Sequence, residues 1–276
     1  MNDSPAVAAQ TVAPDTDTLT SYLPVPGFGI LPVNAFVIHA AEPVLVDTGM
    51  GAIETQFMER LREVIDPGDI RWLWLTHVDP DHLGNFGPIM NAAPRARVVI
   101  TYLGMGKLVL LGQATDRVHL LRPGQSLDVG DRTLQCLKPP TFDAPETTGL
   151  FDSKTKTAFT ADCFGALLDT PAANAAEIPS AKLHDGLARW TTADAPWVRD
   201  VHRDRFGQTL DRLRRLGPET VLSSHLPPAA GMLDTLLDCL SEARTAPLFE
   251  GLDQAGLEQM LAAAEPAGTG AANHSQ

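Results

Sequence analysis

Within six consecutive positions, His77, Asp79, Asp81 and His82 supply two imidazoles and two carboxylates. They follow directly on the apolar run Trp72, Leu73, Trp74, Leu75. A loop leaving the end of a buried strand can aim several side chains at one point. Imidazole and carboxylate are the usual protein ligands of zinc, iron and manganese. Four strong donors packed against an apolar strand would be costly to bury unless a cation neutralised them. The spacing therefore predicts a metal site rather than a polar surface loop.

Apolar periodicity outlines the elements that must position these groups. Residues 33–39 and 43–47 read as strands joined by a turn, and the second breaks at Thr48 and Gly49. Residues 52–65 show helical spacing, with Ile53, Phe57, Leu61, Val64 and Ile65 on one face, and Pro67-Gly68 closes the segment. Residues 72–76 form a buried strand ending at His77. A helix starts over 83–91, and 96–102 is a further strand. From 118 to 139 the pattern changes to short strands with turns, followed by a hairpin over 150–152 and 157–161. Residues 166–195 lack periodicity and read as an irregular cap over the site. A charged amphipathic helix covers 200–216, a strand 220–223, and helices 232–243 and 257–264. Two batches of strands, each followed by helices, predict an α+β sandwich of two sheets with helices outside.

Composition narrows the classes further. The chain has 276 residues, 44% hydrophobic and 20% charged, with a formal net charge of −13. That balance provides no basic surface for nucleic acid or an anionic membrane. No apolar run reaches the ~18 residues of a membrane span. The three cysteines, Cys136, Cys163 and Cys239, are scattered and odd in number, which predicts a reducing compartment, the cytoplasm. The first residues lack a secretory signal and read as a disordered tail, as do the last ten.

The segment from His77 to His82 resembles the His-x-His-x-Asp-His signature of the metallo-β-lactamase superfamily. Three further motifs fall in that family's order. Leu45-Val46-Asp47-Thr48-Gly49 resembles the strand-turn ahead of the signature, Thr160-Ala161-Asp162 the strand end with a bridging Asp, and Ser223-Ser224-His225 the strand end with the last His. The resemblance runs from about Leu19 to His225 and implies an αββα metallo-β-lactamase-like sandwich. It divides the chain into a tail (1–17), the fold domain (18–245) and a C-terminal helix and tail (246–276).

Two departures sharpen the resemblance. Asp79 stands where the second signature His belongs, and Asp143, within Asp143-Ala144-Pro145, stands where a later His is expected. Flavodiiron and oxygen-binding di-iron proteins carry a carboxylate at the first of these positions and His-x-Pro at the second. Eighteen residues (144 to 161) separate Asp143 from Asp162, as in that branch, and Asp162-Cys163-Phe164-Gly165 is similar to its Asp-x-Phe-Gly. The likeness implies one metal held by His77, Asp79 and Asp143, and a second by Asp81, His82 and His225, with Asp162 bridging. In the di-iron branch water can displace the residue matching His82. Asp47 would orient a ligand His from behind, and Ser224 would donate near the site. Strand alternation turns Cys163 away from the metals and into the core.

Two functions follow as expectations. The first is a metal-dependent oxidoreductase or sensor for dioxygen or nitric oxide. Hard carboxylate oxygens favour iron or manganese over zinc, and they stabilise a ferric ion. Fifty-one residues (226 to 276) follow His225 with no phosphate-cradling loop, so electrons would come from a separate donor. The alternative is a hydrolase of an ester, thioester, lactone or phosphoester, with zinc or manganese and with Asp81 orienting the nucleophile.

Overall fold

The computed structural model describes residues 7–264. One sheet has seven strands in sequence order: β1 (Ala8–Ala13), β2 (Thr16–Val25), β3 (Gly29–Ile38), β4 (Val44–Val46), β5 (Trp72–Trp74), β6 (Arg97–Ile100) and β7 (Val118–Leu120). The second has six: β8 (Ser126–Asp128), β9 (Thr133–Leu137), β10 (Gly149–Asp152), β11 (Thr157–Phe159), β12 (Thr220–Leu222) and β13 (Ala229–Ala230), in the order β13-β12-β11-β10-β9-β8. The helices are α1 (Glu54–Val64), α2 (Pro80–Leu83), α3 (Phe86–Ala92), α4 (Tyr102–Leu110), α5 (Ser180–Asp194), α6 (Arg203–Leu216), α7 (Leu233–Ala243) and α8 (Gln254–Ala264).

Alternation along the strands builds three apolar layers. Val44, Val46, Trp74 and Val99 point inward and meet Leu134, Leu150, Phe159 and Leu222 of the other sheet. Leu45, Leu73 and Val98 point outward against Phe57 and Leu61 of α1 and Ile89 of α3. On the far side, Ala158 and Val221 pack on Leu183 and Leu187 of α5, Phe206 and Leu210 of α6, and Leu236 and Leu240 of α7. This is the αββα sandwich that the sequence predicts. Caps set some helix ends. His202 accepts from the Asp204 N–H at the start of α6, and Gly217 closes that helix at φ +62°.

Three expectations are corrected. The tail assigned to 1–17 is, over Ala8–Ala13 and from Thr16 onward, strand. β1 pairs antiparallel with β2 from Ala8↔Thr20 to Ala13↔Thr16, and β2 pairs with all of β3. Threonines suit a pleated surface but carry little hydrophobic signal, so this hairpin is hard to see in sequence. Residues 1–6 of that tail, and 265–276 of the C-terminal tail, lie outside the described residues. The region read as irregular, 166–195, contains the fifteen-residue helix α5. Its inner face mixes Leu183 and Leu187 with Gly186, Thr191 and Thr192, which blurs the apolar stripe. Finally, α4 occupies a stretch for which no element was expected.

Strand pairing decides what the site can be. β4 and β5 run parallel with Val46 beside Trp74, so Asp47 emerges next to Leu75 and Thr76. β11 and β12 run parallel with Phe159 beside Leu222, so Asp162 and His225 emerge together. Thr148 donates its N–H to the Thr76 carbonyl (2.8 Å), tying the β9–β10 loop to the same end of the sandwich.

Candidate metal centre

His77, His82 and His225 converge on Asp162, which is 5% exposed. The Oδ2 of Asp162 lies 3.3 Å from His77 Nε2, whereas its Oδ1 lies 3.1 Å from His82 Nε2 and 3.2 Å from His225 Nε2. Its two oxygens therefore face two different sets of donors. In one set, ligand atoms of His77, Asp79 and Asp143 lie within 4.8 Å of one another; in the other, those of Asp81, His82 and His225 do. Asp81 Oδ2 stands 3.4 Å from His225 Nε2 and 3.6 Å from His82 Nε2. Asp143 reaches the cluster despite its short side chain, with Oδ1 4.0 Å from His77 Nε2. All the residues named from the signature and its distant partners are thus in one place.

The imidazoles are oriented from behind. Asp47 accepts from the Thr76 N–H (2.8 Å), the Thr76 hydroxyl (2.7 Å) and His82 Nδ1 (2.9 Å). Since its own proton goes to Asp47, the Thr76 oxygen can accept from His77 Nδ1 at 3.0 Å. His225 Nδ1 donates to the Pro32 carbonyl on β3 at 2.7 Å. Each ring is thus engaged at Nδ1 from behind and turns Nε2 toward Asp162, where a metal would take the place of the Nε2 proton. Asp47 stands behind His82, and Thr76 links it to His77. Ser224 contributes its main chain, accepting from Asn34 N–H (2.9 Å) and donating to Ala161 (2.8 Å). The hydroxyl at work there belongs to Ser223, which bonds Ala161 O (3.1 Å) and the His225 N–H (3.2 Å).

Loops that carry these groups are held firmly. Asp47 and Ala161 sit at φ +58° and +49°, unusual for residues with a Cβ. Such backbone costs about 1–2 kcal/mol per residue and persists only where its surroundings enforce it. The Asp143 loop is gripped by Lys138 Nζ, which donates to Ala144 O, Pro145 O and Thr147 O at 3.2, 3.0 and 2.8 Å. Trp197 adds a bond to Phe142 O (2.8 Å). Trp190 on α5 bonds the Asp162 carbonyl (3.1 Å) and packs its ring 4.7 Å from that of His225. Cys163 is buried in the core behind the site, where burial pushes its thiol up to about 12.

A metal fits this donor set. His77 Nε2, His82 Nε2 and Asp162 Oδ1 are buried yet have no hydrogen-bond partner among the described residues. Such orphans are rare in folded proteins unless an ion or water serves them. Electrostatics agrees. Burial works against protonation of the three histidines, but the Asp162 carboxylate overrides it and holds each above the usual imidazole range. Burial likewise works against the Asp162 anion, yet the imidazoles keep it well below the usual carboxylate range. Burial raises Asp79, with Asp143 adding to the effect. A cation entering here must displace the imidazole protons. Its uptake should therefore release protons near neutral pH, and its affinity should fall as pH drops from 7 to 5. Titration of metal into weakly buffered protein with a pH indicator reads this directly. Uptake without proton release would contradict it.

Fold and site together define a metallo-β-lactamase-type protein. The chain belongs to the family described as ODP family beta lactamase, whose pattern matches residues 31–192. Among curated proteins it is similar to a putative diflavin flavoprotein A 2 of Synechocystis sp., 29% identical over 133 residues, covering 48% of this chain and 23% of that one. It is also similar to the flavo-diiron protein FprA2 of Clostridium acetobutylicum, 29% identical over 136 residues, covering 48% and 34%. The matched region thus spans about a quarter to a third of those relatives. Among solved structures, rubredoxin oxygen:oxidoreductase from Desulfovibrio gigas superimposes with a TM-score of 0.77 at 18% identity, over 87% of this chain and 62% of that one. This likeness concerns the fold.

One residue close to the cluster has no counterpart in the sequence reading. Asp194, the last residue of α5, brings a carboxylate oxygen within 4.8 Å of those of Asp143 and Asp162. Burial, then the charges of Asp162 and Asp143, raise it to about 7. A single Asp at a helix end carries no motif, so only the placement of α5 reveals it.

Proposed function

We propose that the cluster holds two metal ions, iron by preference, and that the protein binds or reduces dioxygen or nitric oxide with electrons from a separate donor. His77, Asp79 and Asp143 hold one ion, Asp81, His82 and His225 the other, and Asp162 bridges them. The observation that carries this reading is the split of Asp162, one oxygen toward His77 and the other toward His82 and His225, at distances of 3.1 to 3.3 Å. The flavo-diiron names of its relatives favour this reading over hydrolysis. A ferrous pair would supply electrons to the bound gas. The chain's own part is to fix three imidazole tautomers through Asp47, Thr76 and Pro32, and to surround the ions with hard oxygen donors that favour iron or manganese over zinc. The Trp190 ring walls the His225 side. The three cysteines are buried and unpaired, consistent with a reducing compartment such as the cytoplasm. No helix among the described residues is long and apolar enough to cross a membrane.

The test is to load metal-free protein separately with iron, manganese and zinc. The reduced iron form should consume dioxygen or nitric oxide at an electrode. The zinc form should cleave p-nitrophenyl acetate and bis(p-nitrophenyl) phosphate no faster than buffer. Inert iron protein beside an active zinc esterase would overturn the proposal and install the hydrolase.

A further inference from the structure

We propose that Asp194 is a ligand of the metal held by His77, Asp79 and Asp143. This rests on the dinuclear site proposed above and adds a donor that the signature residues do not supply. Asp194 reaches the cluster from α5, outside every strand end that carries the other ligands. Its carboxylate oxygen and those of Asp143 and Asp162 lie within 4.8 Å of one another. His77 Nε2 is wholly buried, lacks a hydrogen-bond partner, and is aimed into the same group, 3.3 Å from Asp162 Oδ2 and 4.0 Å from Asp143 Oδ1. The unpartnered His77 Nε2 faces Asp162 and Asp143, and Asp194 sets a third carboxylate beside those two, the donor chemistry of a cation's coordination shell.

Other roles for Asp194 fit poorly. It ends a helix, where the backbone carbonyls present partial negative charge and an acid is unfavourable. It accepts no hydrogen bond and joins no ion pair among the described residues, although its neighbours are acids. An N-terminal cap, a salt bridge and a turn acceptor all require a donor that is missing. What α5 does have is a fixed position, because Trp190 is bonded to the Asp162 carbonyl at 3.1 Å. Asp194 follows one helical turn after Trp190, so the anchor that locates α5 also delivers the carboxylate. The short Asp143 then has company: where the resemblance calls for one His, this chain presents two carboxylates.

The experiment uses Asp194→Asn and Asp194→Glu in the full chain. Metal content is measured by mass spectrometry after iron or manganese loading, affinity by chelator competition, and thermal midpoint at pH 8 with and without metal. Wild type should hold two ions. Asp194→Asn should lose one of them or bind it at least about tenfold more weakly. Asp194→Glu should restore part of the affinity. The thermal midpoints supply the readout that a structural role would not move in this way. Without metal, Asp194→Asn should melt higher than wild type, because a repelled carboxylate has gone; with metal it should melt lower. Two ions at unchanged affinity in Asp194→Asn would overturn this inference while leaving the dinuclear site standing. A variant that melts lower in both forms with unchanged metal content would show a purely structural residue. Wild-type protein that takes up no metal would instead overturn the proposed function itself.

Discussion

Asp162→Ala should empty the site of both metals, whereas Cys163→Ser should retain both. Adjacent residues are thus expected to give opposite results, because the chain turns between them. Asp162 places its two oxygens against three histidines, while Cys163 packs into the apolar layer beneath α5 and α6. Losing a bridge removes a ligand from each ion at once, so affinity for both should fall by at least about a hundredfold. Asp162→Ala also deprives three buried imidazoles of the carboxylate that they face. Removing one partner from a buried charged group typically costs about 3–5 kcal/mol. Asp162→Asn, which keeps the shape, should therefore fold better than Asp162→Ala and still fail to hold two ions. Metal content by mass spectrometry decides the matter. Loss of metal in Cys163→Ser would mean that the thiol, not the core, is its place.

The double substitution Asp79→His and Asp143→His should move metal preference from iron toward zinc and abolish gas reactivity. Both side chains share a point with His77, the three offering ligand atoms within 4.8 Å of one another. Anionic oxygen donors lower the cost of a ferric ion and blunt the polarisation of a bound carbonyl or phosphoryl oxygen. Replacing them with imidazoles reverses both effects. The zinc-to-iron affinity ratio should rise at least about tenfold, and dioxygen or nitric oxide consumption should fall by at least the same factor. Competition dialysis against equimolar iron and zinc, followed by elemental analysis, reads the first quantity; a gas electrode reads the second. A double variant that retains both iron preference and gas consumption would show that Asp79 and Asp143 do not set the chemistry.

The sequence by itself determined the local half of this protein. His77, Asp79, Asp81 and His82 lie within six positions of a buried strand, so a short loop is enough to gather them. Asp47, Asp162 and His225 each follow a short apolar strand, and the order of those strands matches a known family pattern. Strand and helix period likewise exposed the two-sheet sandwich, since burial on one face leaves a repeat of two or of about 3.6 residues. Only the tertiary structure decided the rest. The β1–β2 hairpin hid because threonine-rich strands take their stability from pairing with a neighbour, here the full length of β3. The tautomers of His77 and His225 depend on Thr76 and on the Pro32 carbonyl, and nothing in residue type announces either. Asp194 depends on where α5 packs, and that packing is fixed by a Trp190 bond reaching 28 residues back to Asp162. Contacts between residues close in sequence leave a pattern that can be read. A contact made by one side chain across the fold leaves none, because its partner is chosen by packing and not by spacing.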